Sequence, residues 1–474
     1  MKKNKIFRPE RFFSWYNLEH RKGEFMQLPR TILEIMQTFQ KAGYQAYAVG
    51  GCVRDSLLHK QPCDYDMTTN ARPEQIMSLF EHTIPTGLQH GTVTIKMDDQ
   101  LVEVTTFRIE ENYADHRHPD KVKFVDDVKL DLARRDFTIN AMAYSPQTGL
   151  IDPFNGQEDL KNKIIRTVLD PDKRFQEDAL RMVRAHRFAA KLGFSIQPET
   201  LQAIHRNERL IDNVAVERLY KEWIEILKYD AREIANMTGL FKKWIPELEQ
   251  CLSCNQNSIY HYTDALHHIL DSVNYCKPFD EIVALSLLFH DLGKPSTRTT
   301  SEDGRDHFYK HPYKSFKISQ RIVEDLKLSN KHKNIIPLLV LHHDDILSPA
   351  LKNVWKVHKM WGFDTKMMEY LFKVQYCDIM AHSEIGRLRL KRWKAFKDFY
   401  YETIQTHPME INDLQIDGNI VIKMTGLSGK AIRIALEECL EYCFYNPTKN
   451  NRLDILTFLL KNARRFQKES EKKK

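Results

Sequence analysis

The sequence predicts an α+β protein in which a mixed region of strands and helices is followed by a long helical array. Up to about residue 144, short β-branched or alternating runs stand between amphipathic segments, a pattern typical of strands mixed with helices. From Lys173 onward apolar residues recur with a period near 3.6, which indicates helices as far as the C-terminus. The chain has 474 residues, and a length of roughly 100 to 200 residues per domain predicts about three or four units.

The N-terminal region contains three runs with strand character and two with helical character. The strand-like runs are residues 46–49, 93–97 and 101–107, and the helix-like runs are residues 30–42 and 72–80. Pro73 provides a start signal for the second helix. Because Gly50 and Gly51 directly follow the first strand, we expect them to end that strand and begin a helix.

Breaks in the pattern divide the chain into four predicted domains. Polar or proline-bearing residues interrupt it at 152–156, near 246–257 and near 407–408. The predicted domains span residues 25–150, 151–250, 251–400 and 401–474. The first contains the strands, and the other three are helical.

The composition is that of a soluble protein without a membrane segment. Hydrophobic residues make up 42% and charged residues 28% of the chain, and the mean hydropathy is -0.52. No apolar run approaches the roughly 20 residues of a spanning helix, and the N-terminus lacks the apolar core of a secretory signal. We therefore expect a cytoplasmic protein whose eight cysteines are reduced thiols.

The net charge is mildly basic, with a formal value of +7. Such a charge permits an anionic partner such as RNA without requiring one. Residues 387–394 concentrate the effect, since five cations surround Trp393 there. That run fits a solvated helix face as well as it fits contact with phosphate.

Two carboxylates one residue apart, Asp64 and Asp66, follow the double glycine. Side chains alternate along a strand, so both would point to one face with Cα atoms roughly 6.6 Å apart. Two such carboxylates repel each other unless a cation lies between them, and Mg²⁺ held by carboxylates and substrate phosphates is usual in phosphoryl chemistry. An isolated pair is more often a solvated strand edge, so its neighbours decide the interpretation.

Those neighbours favour a phosphate site. Glycines at Gly50 and Gly51 would let backbone N–H groups approach a phosphate at the start of a helix. Arg54 would follow one turn later with a positive charge, and Asp55 stands beside it. The combination with the carboxylate pair is a far more specific signal than a double glycine alone.

Four segments together resemble the class II tRNA nucleotidyltransferase and poly(A) polymerase family. They are GGCVRDSLL, DYDMTTNA, RRDFTINAMAY and EDALRMVRAHRF, in the family's order between residue 46 and about residue 192. The resemblance implies a nucleotidyltransferase head with a small mixed β-sheet, an all-α neck and body, and Mg²⁺ in the head. It also implies that Asp64 and Asp66 are the metal-binding catalytic carboxylates, with Glu103 as a third acidic position.

The RRDFTINA segment matches the family segment that binds the ribose and phosphates of the incoming nucleotide. The chemistry of its residues agrees with this role. Arg135 can bind phosphate with two parallel hydrogen bonds, and Asp136 and the Asn140 amide suit sugar hydroxyls.

Asp178 and Arg181 form the predicted base-reading pair. In a helix, residues three apart lie on one face. The Asp178 carboxylate would accept a hydrogen bond from an amino group of the base, and the Arg181 guanidinium would donate one to a ring nitrogen. Cytosine and adenine offer that order of groups, whereas uracil and guanine offer the reverse, so the pair predicts CTP and ATP as substrates. The family's EDxxR segment has the same role. Arg184 and Arg187, further along the helix, would contact phosphate or primer, although a charged surface fits them equally well.

Two stretches distinguish the reactions within the family. Residues 85–93 lack the basic segment of the bacterial poly(A) polymerases, which favours tRNA maturation. Residues 108–129 are polar and loop-like and resemble the flexible loop that lets the site change from C to A, which enzymes adding only CC lack. The expectation is CCA addition, with addition of A alone left open.

A set of histidines and aspartates in residues 261–382 resembles the HD-domain phosphohydrolases. Neutral imidazoles and carboxylates are suitable ligands for a divalent metal, here Mg, Mn or Ni. The positions that match are His268, His290, Asp291, His311, His342 or His343, and Asp378. We expect this set to bind metal, and attack of a metal-activated water on a phosphate ester is the reaction it could perform.

The sequence therefore predicts a tRNA nucleotidyltransferase that adds CCA from CTP and ATP and releases pyrophosphate, with an HD domain that is a candidate phosphohydrolase. The partners are tRNA, CTP and ATP, and monomer and homodimer both stay open. The alternatives are an A-adding enzyme or poly(A) polymerase, a dedicated HD-domain phosphohydrolase, and a tRNA-binding protein without catalysis.

Overall fold

A computed structural model of the chain describes residues 26–111, 121–362 and 364–472. The chain divides into two compact units. The first contains the described residues up to Asp178 together with Ser195–Ala203, and the second contains Ala179–Phe194 and the described residues from Ile204 onward. The four predicted domains, with boundaries near 150, 250 and 400, stay predictions.

The first unit is built on a mixed β-sheet. Its strands are β1 Ala46–Val49, β2 Asp66–Thr69, β3 Thr83–Gly87, β4 Thr92–Met97, β5 Gln100–Thr106, β6 Arg108–Glu111, β7 Lys121–Phe124, β8 Ala143–Ser145, β9 Gly149–Ile151, β10 Ile164–Ile165 and β11 Ser195–Ile196. Among the described residues, seven of these form one sheet in the order β3-β4-β5-β2-β1-β8-β9. Strands β2 and β5 are parallel, whereas β1 is antiparallel to β2. The predicted small mixed sheet is confirmed.

Six helices of the first unit are α1 Arg30–Lys41, α2 Gly51–Leu57, α3 Pro73–Leu79, α4 Val128–Ala133, α5 Gly156–Asn162 and α6 Pro171–Glu177. The bounds of β1, α1 and α3 agree with the sequence patterns to within about one residue. One part of the core packs Tyr47 and Val49 of β1 against Phe107 and against Leu132 of α4. This packing connects the strand before the double glycine to the helix before the RRDFTINA segment.

The segment 108–129 is not simply a loop. Its two ends form the antiparallel pair β6 and β7, and Val128 already begins α4. An ion pair of 2.7 Å joins Arg108 to Glu110, and Arg134 approaches the same carboxylate at 3.2 Å. The Glu110 carboxylate therefore has two cationic partners, Arg108 on its own strand and Arg134 at the end of α4. Residues 112–120 lie outside the described residues.

The second unit is helical, as the 3.6-residue period predicts. With α8, which begins in the first unit, its helices are α7 Leu180–Leu192, α8 Pro198–Asn207, α9 Val216–Tyr229, α10 Glu247–Leu252, α11 Ala265–Asn274, α12 Glu281–Phe289, α13 Lys294–Thr297, α14 His311–Asp325, α15 Asn330–His342, α16 Leu351–Met360, α17 Thr365–Met380, α18 Glu384–Arg387, α19 Arg389–Thr406, α20 Gly418–Thr425, α21 Lys430–Tyr445 and α22 Arg452–Lys472. A short hairpin of β12 Arg298–Thr300 and β13 Asp306–Phe308 interrupts the array.

Helix α12 runs through the centre of the second unit. Its eight residues from Ile282 to Phe289 are all buried, as expected for a helix that is apolar on every side. Asp280 caps its first turn by accepting from the backbone N–H groups of Ile282 and Val283. His290 and Asp291, which directly follow this helix, therefore lie in the interior of the unit. None of the helices in the described ranges is long and apolar enough to cross a membrane.

Candidate active site

Gly50 forms the corner between β1 and α2. Its φ is 78° and its ψ is -124°, a conformation that residues with a side chain rarely adopt. A Cβ at this position would lie 2.9 Å from an Nη1 atom of Arg135. The missing side chain therefore serves two purposes, since it permits the turn and lets the guanidinium lie against the backbone.

The predicted carboxylates gather beside this corner. Asp66 is the first residue of β2 and pairs with Val49 in register. Met67 of β2 pairs with Val104 of β5. Asp66 comes directly before Met67, and Glu103 comes directly before Val104. Asp66 and Glu103 are thus equivalent positions on adjacent parallel strands, about 4.8 Å apart by strand spacing.

Asp64 differs from its predicted position in a strand. It lies two residues before β2, outside any strand, and its side chain is exposed like those of Asp66 and Glu103. The pKa of Asp66 is raised, first because neighbouring atoms displace water and then because Asp64 repels its charge; Arg135 opposes the shift and Glu103 adds to it. The charges of Asp64 and Glu103 therefore both act on Asp66, although β2 contains Asp66 alone of the two predicted aspartates.

Arg135 lies next to the acidic group. Burial lowers its pKa, while the charges of Asp131, Asp136 and Asp66 partly offset that effect. Its Nη1 donates a long bond of 3.5 Å to the Asn140 carbonyl oxygen. Its Nε finds no acceptor within the described ranges. A buried guanidinium N–H without an acceptor is costly, which suits an anionic ligand at this position.

Arg54, predicted to meet phosphate, is instead buried in a network of side chains. Its guanidinium pairs with Asp55 at 2.7 Å and donates to Oδ1 of Asn140 at 2.7 Å. Asn140 in turn donates to Asp136 at 3.3 Å, and Asp136 accepts from the backbone N–H of Phe137 at 2.8 Å. The network joins α2 to the RRDFTINA segment and holds its polar side chains in place.

The predicted base-reading pair does not lie on one continuous helix. Helix α6 ends at Glu177, and Asp178 has extended backbone angles, φ -144° and ψ 105°. Helix α7 begins only at Leu180 and contains Arg181. The helical pattern of the sequence is therefore interrupted at Asp178, because the backbone turns there between two helices.

Arg184 and Arg187 lie on α7 and have protein partners in the second unit. Both approach the carboxylate of Glu222 on α9, with 3.8 Å separating Arg184 from it. The Arg187 guanidinium also lies over the Phe188 ring, 4.2 Å from its centroid. These contacts give both side chains a structural role, and their contact with phosphate or primer stays a prediction.

The second unit contains a buried cluster centred on two carboxylates. The Nε2 atoms of His290 and His311 each lie 3.2 Å from a carboxylate oxygen of Asp291. Asp378 on α17 receives His268 Nε2 at 2.9 Å and also approaches His290 at 3.4 Å. Five predicted residues from α11, the end of α12, α14 and α17 thus converge.

His343, and not His342, belongs to this cluster. His343 Nε2 lies 3.7 Å from Asp291 and 3.4 Å from His311 Nε2. His342 pairs with Asp345 at 2.8 Å and packs on Trp361. Consecutive residues of a helix point about 100° apart, so one of the two had to turn away.

Three further residues join the cluster that sequence reasoning did not single out. His261 and His382 form a group with His268 whose ligand atoms all lie within 4.8 Å of one another. The Lys294 ammonium lies 2.6 Å from Asp291 and is buried. Lys294 follows Asp291 by three residues in a turn of helix, a spacing that could have indicated the contact.

The protonation of the cluster is uneven. Burial lowers the pKa of His268 and of His343 to about 4, so both rings are neutral at pH 7. Burial also acts on His290, but the negative charges of Asp291 and Asp378 outweigh it and raise its pKa to about 10. Burial opposes ionisation of the two carboxyls, yet the surrounding cations hold both pKa values well below the usual range.

The donor set fits a divalent metal. His290, Asp291 and His343 offer ligand atoms within 4.8 Å of one another, as do His268, His290 and Asp378. Within the described ranges, His290 Nε2 and Asp291 Oδ1 are buried without a hydrogen-bond partner of good geometry. A cavity of about 400 Å³ opens onto the cluster and is also lined by Arg305 and Arg389.

Comparison with known families gives two matches. Residues 46–166 match the Poly A polymerase head domain, and residues 193–252 match a probable RNA and SrmB-binding site of polymerase A. The first match contains the double glycine, the carboxylates and the RRDFTINA segment.

Similar individual proteins are CCA-adding enzymes. The enzyme of Lactobacillus helveticus is 50% identical over 194 residues, 41% of this chain and 49% of that protein. The enzyme of a Geobacillus species is 49% identical over 213 residues, 44% of this chain and 53% of that protein. The chain thus spans about half the length of the curated relatives it matches.

Solved structures extend the likeness along the chain. A crystal structure of the Bacillus stearothermophilus CCA-adding enzyme in complex with CTP is 28% identical and has a TM-score of 0.70, with 93% of this chain and 98% of that chain covered. The Thermotoga maritima CCA-adding enzyme complexed with tRNA has the same fold at 20% identity, with a TM-score of 0.56 over 91% of this chain and 94% of that chain. Residues 46–166 thus match the head domain of the poly(A) polymerase family, and the similar proteins are CCA-adding enzymes.

Proposed function

We propose that the protein is a tRNA nucleotidyltransferase that adds CCA to tRNA 3′ ends from CTP and ATP and releases pyrophosphate. One observation carries the proposal. Asp66 and Glu103 stand side by side on parallel strands, next to the Gly50 corner and the Arg135 guanidinium. Candidate acidic metal ligands thus adjoin a cation without a full set of acceptors, as nucleotidyl transfer from a nucleoside triphosphate requires.

Asp64, Asp66 and Glu103 are the proposed ligands of Mg²⁺. Burial raises the pKa of Asp66, and the charges of Asp64 and Glu103 raise it further; a hard cation would relieve that repulsion. When bound, Mg²⁺ would polarise the α-phosphate and stabilise the attacking 3′ oxygen and the departing pyrophosphate. The carboxylates themselves would orient the tRNA 3′-hydroxyl in line with the bond that breaks.

The nucleotide would lie along the RRDFTINA segment. Gly50 and Gly51 leave room for the triphosphate, and Arg135 would donate its unpaired N–H to a phosphate oxygen. Asp136 and Asn140 would bind the ribose hydroxyls. Arg54 would act through Asn140, whose side chain it holds.

The Gly50→Ala variant is expected to lose roughly 10- to 100-fold in nucleotide incorporation. The added Cβ would lie only 2.9 Å from Nη1 of Arg135 and would displace that guanidinium. It would also strain the backbone, because φ is positive at this position. Steady-state incorporation of CTP into tRNA ending before CCA measures the loss. Gly149→Ala is the control, because Gly149 also has a positive φ, 72°, but a Cβ added there would meet no heavy atom within 4 Å. An equal loss of incorporation in this variant would mean that backbone strain alone, and not displacement of Arg135, causes the loss.

Base choice is proposed to depend on Asp178 and Arg181, with Arg184 and Arg187 contacting the primer or triphosphate. Carboxylate and guanidinium complement cytosine and adenine and oppose uracil and guanine. The segment 108–129, with its β6 and β7 base, is the proposed loop for the change from C to A. In this proposal residues 25–150 are the catalytic head, 151–250 an RNA-binding neck, and 401–474 a tail that grips tRNA in the cytoplasm.

A single-nucleotide assay tests the whole proposal. With Mg²⁺ and tRNA ending before CCA, we expect incorporation from CTP, then from ATP after two C, and roughly 10²-fold less from UTP or GTP, since each mismatched buried polar group costs about 1 to 3 kcal/mol. Incorporation from UTP comparable to that from CTP would contradict base reading. Addition of A alone, or of a long A tail, would indicate an A-adding enzyme or a poly(A) polymerase.

A second function is proposed for the buried cluster around Asp291 and Asp378. Its residues His268, His290, Asp291, His311, His343 and Asp378 would hold a divalent metal, with His261 and His382 beside them. A metal bound there would supply an activated water for attack on a phosphate ester. Lys294 holds Asp291, and Arg305 and Arg389 on the cavity wall would bind the phosphate. We propose this phosphohydrolase activity in residues 251–400.

A further inference from the structure

An aromatic cleft lies in the second unit between α17 and α19, and the functions proposed above do not use it. Its volume is about 300 Å³. Four aromatic side chains and two lysines line most of it, namely Phe372, Tyr376, Trp393, Tyr401, Lys373 and Lys397. It contains the tryptophan of the basic run at 387–394.

The rings form the walls of the cleft. Tyr376 and Trp393 have centroids 5.4 Å apart and planes tilted by 41°, and Phe372 and Tyr401 are 5.9 Å apart at 45°. Tyr376 is 40% exposed, although it is a large apolar side chain. Trp393 is only 8% exposed, and its Nε1 finds no acceptor in the part of the chain that the structure describes. The cleft therefore offers a stacking surface, chiefly the exposed ring of Tyr376.

The charge around the cleft is positive. Lys397 places its ammonium 4.9 Å from the Trp393 ring centroid. On the same helix, Lys391, Arg392 and Lys394 are exposed, and the first acidic residue of α19 is Asp398. Glu369 is the one acidic residue of the lining among the described residues. Such a surface attracts phosphates and repels a cationic ligand.

We propose that this cleft binds an unpaired nucleobase of an RNA chain, with Lys373 and Lys397 contacting the neighbouring phosphates. Aromatic faces with flanking cations are the combination that single-stranded nucleic acid requires, because any base can stack and every nucleotide carries a phosphate. A double helix keeps its bases stacked on one another and cannot offer one to the cleft. The site acts in binding and does not depend on the transfer reaction in the head.

Binding of a fluorescein-labelled 12-nucleotide oligouridylate, measured by anisotropy without nucleoside triphosphate, tests the proposal. Tyr376→Ala is expected to weaken binding about tenfold, which is about 1.4 kcal/mol. Tyr275→Ala is the matched control, since Tyr275 is 37% exposed and does not line the cleft, and it should bind as the unaltered protein does. Equal affinity of the Tyr376→Ala protein and the control would overturn the proposal.

Salt dependence separates the phosphate contact from stacking. Lys397→Ala should reduce the slope of log affinity against log salt by roughly 0.7, the value for one phosphate contact on a single strand, whereas Tyr376→Ala should leave the slope unchanged. The unaltered protein should bind an oligonucleotide with abasic sites weakly. Its affinity should equal that of the Tyr376→Ala protein for the oligonucleotide with all its bases. Equal binding of the abasic strand, or an equal effect of Tyr376→Ala on duplex RNA, would show that no base enters the cleft. Because no transfer is measured, these results stand whether or not the head adds nucleotides.

Discussion

Replacing Asp64 and Asp66 together by asparagine is expected to lower nucleotide incorporation by on the order of 10³-fold or more, about 4 kcal/mol in the activation barrier. The amides keep the shape of the carboxylates but remove the charges that would hold Mg²⁺. Single-turnover incorporation of CTP with saturating tRNA measures the chemical step directly. Glu103→Gln should give a loss of the same kind, because Glu103 is the neighbour of Asp66 on β5.

The fold should survive these substitutions. The folded-state pKa of Asp66 is raised, so ionisation of this group lowers the stability as pH rises above its unfolded value. Its amide should therefore leave the melting temperature at pH 7 unchanged or slightly higher, measured without Mg²⁺. Asp99→Asn is the control, since Asp99 is exposed in the turn between β4 and β5. Incorporation that persists in the double variant would exclude the carboxylates as metal ligands.

Replacing His343 by alanine is expected to lower the rate of metal-dependent phosphate release about 10³-fold and to weaken metal binding at least tenfold. His343 is neutral at pH 7, given a pKa of about 4, so its removal leaves no buried charge without a partner. Metal content after dialysis against Mn²⁺ or Ni²⁺, and hydrolysis of p-nitrophenyl phosphate, measure the two effects. Nucleotide incorporation by the head should be unchanged.

His342→Ala is the matched control for this prediction. It removes the adjacent residue on α15, which pairs with Asp345 outside the cluster. Asp291→Asn offers a second test, although it also removes the partner of buried Lys294 and should destabilise the fold by about 3 to 5 kcal/mol. Equal metal loss in the two histidine variants would mean that the cluster is not the metal site. Hydrolysis that survives both His343→Ala and Asp291→Asn would place any such activity elsewhere.

Much of the first unit could be predicted from local pattern. A short apolar run located β1, and the double glycine located the corner where φ is 78°, because strand propensity and glycine conformation depend on neighbouring residues only. The segment 108–129 could not be predicted in the same way. Its strands β6 and β7 pair through their backbones, and Glu110 contacts Arg134 beyond the segment, so neither feature follows from a local period.

The sequence by itself determined which chemical groups this protein has and in what order: the acidic residues after the double glycine, the RRDFTINA segment and the histidines of residues 261–382. Tertiary structure alone decided which of them meet. It turned Arg54 toward Asn140, interrupted the helix at Asp178, placed His343 and not His342 in the buried cluster, and added His261 and His382 to it. The physical reason is range, since helix and strand periods act over a few residues. Arg54 and Asn140 are 86 positions apart and His268 and Asp378 are 110 apart, and such contacts depend on packing that no local pattern encodes.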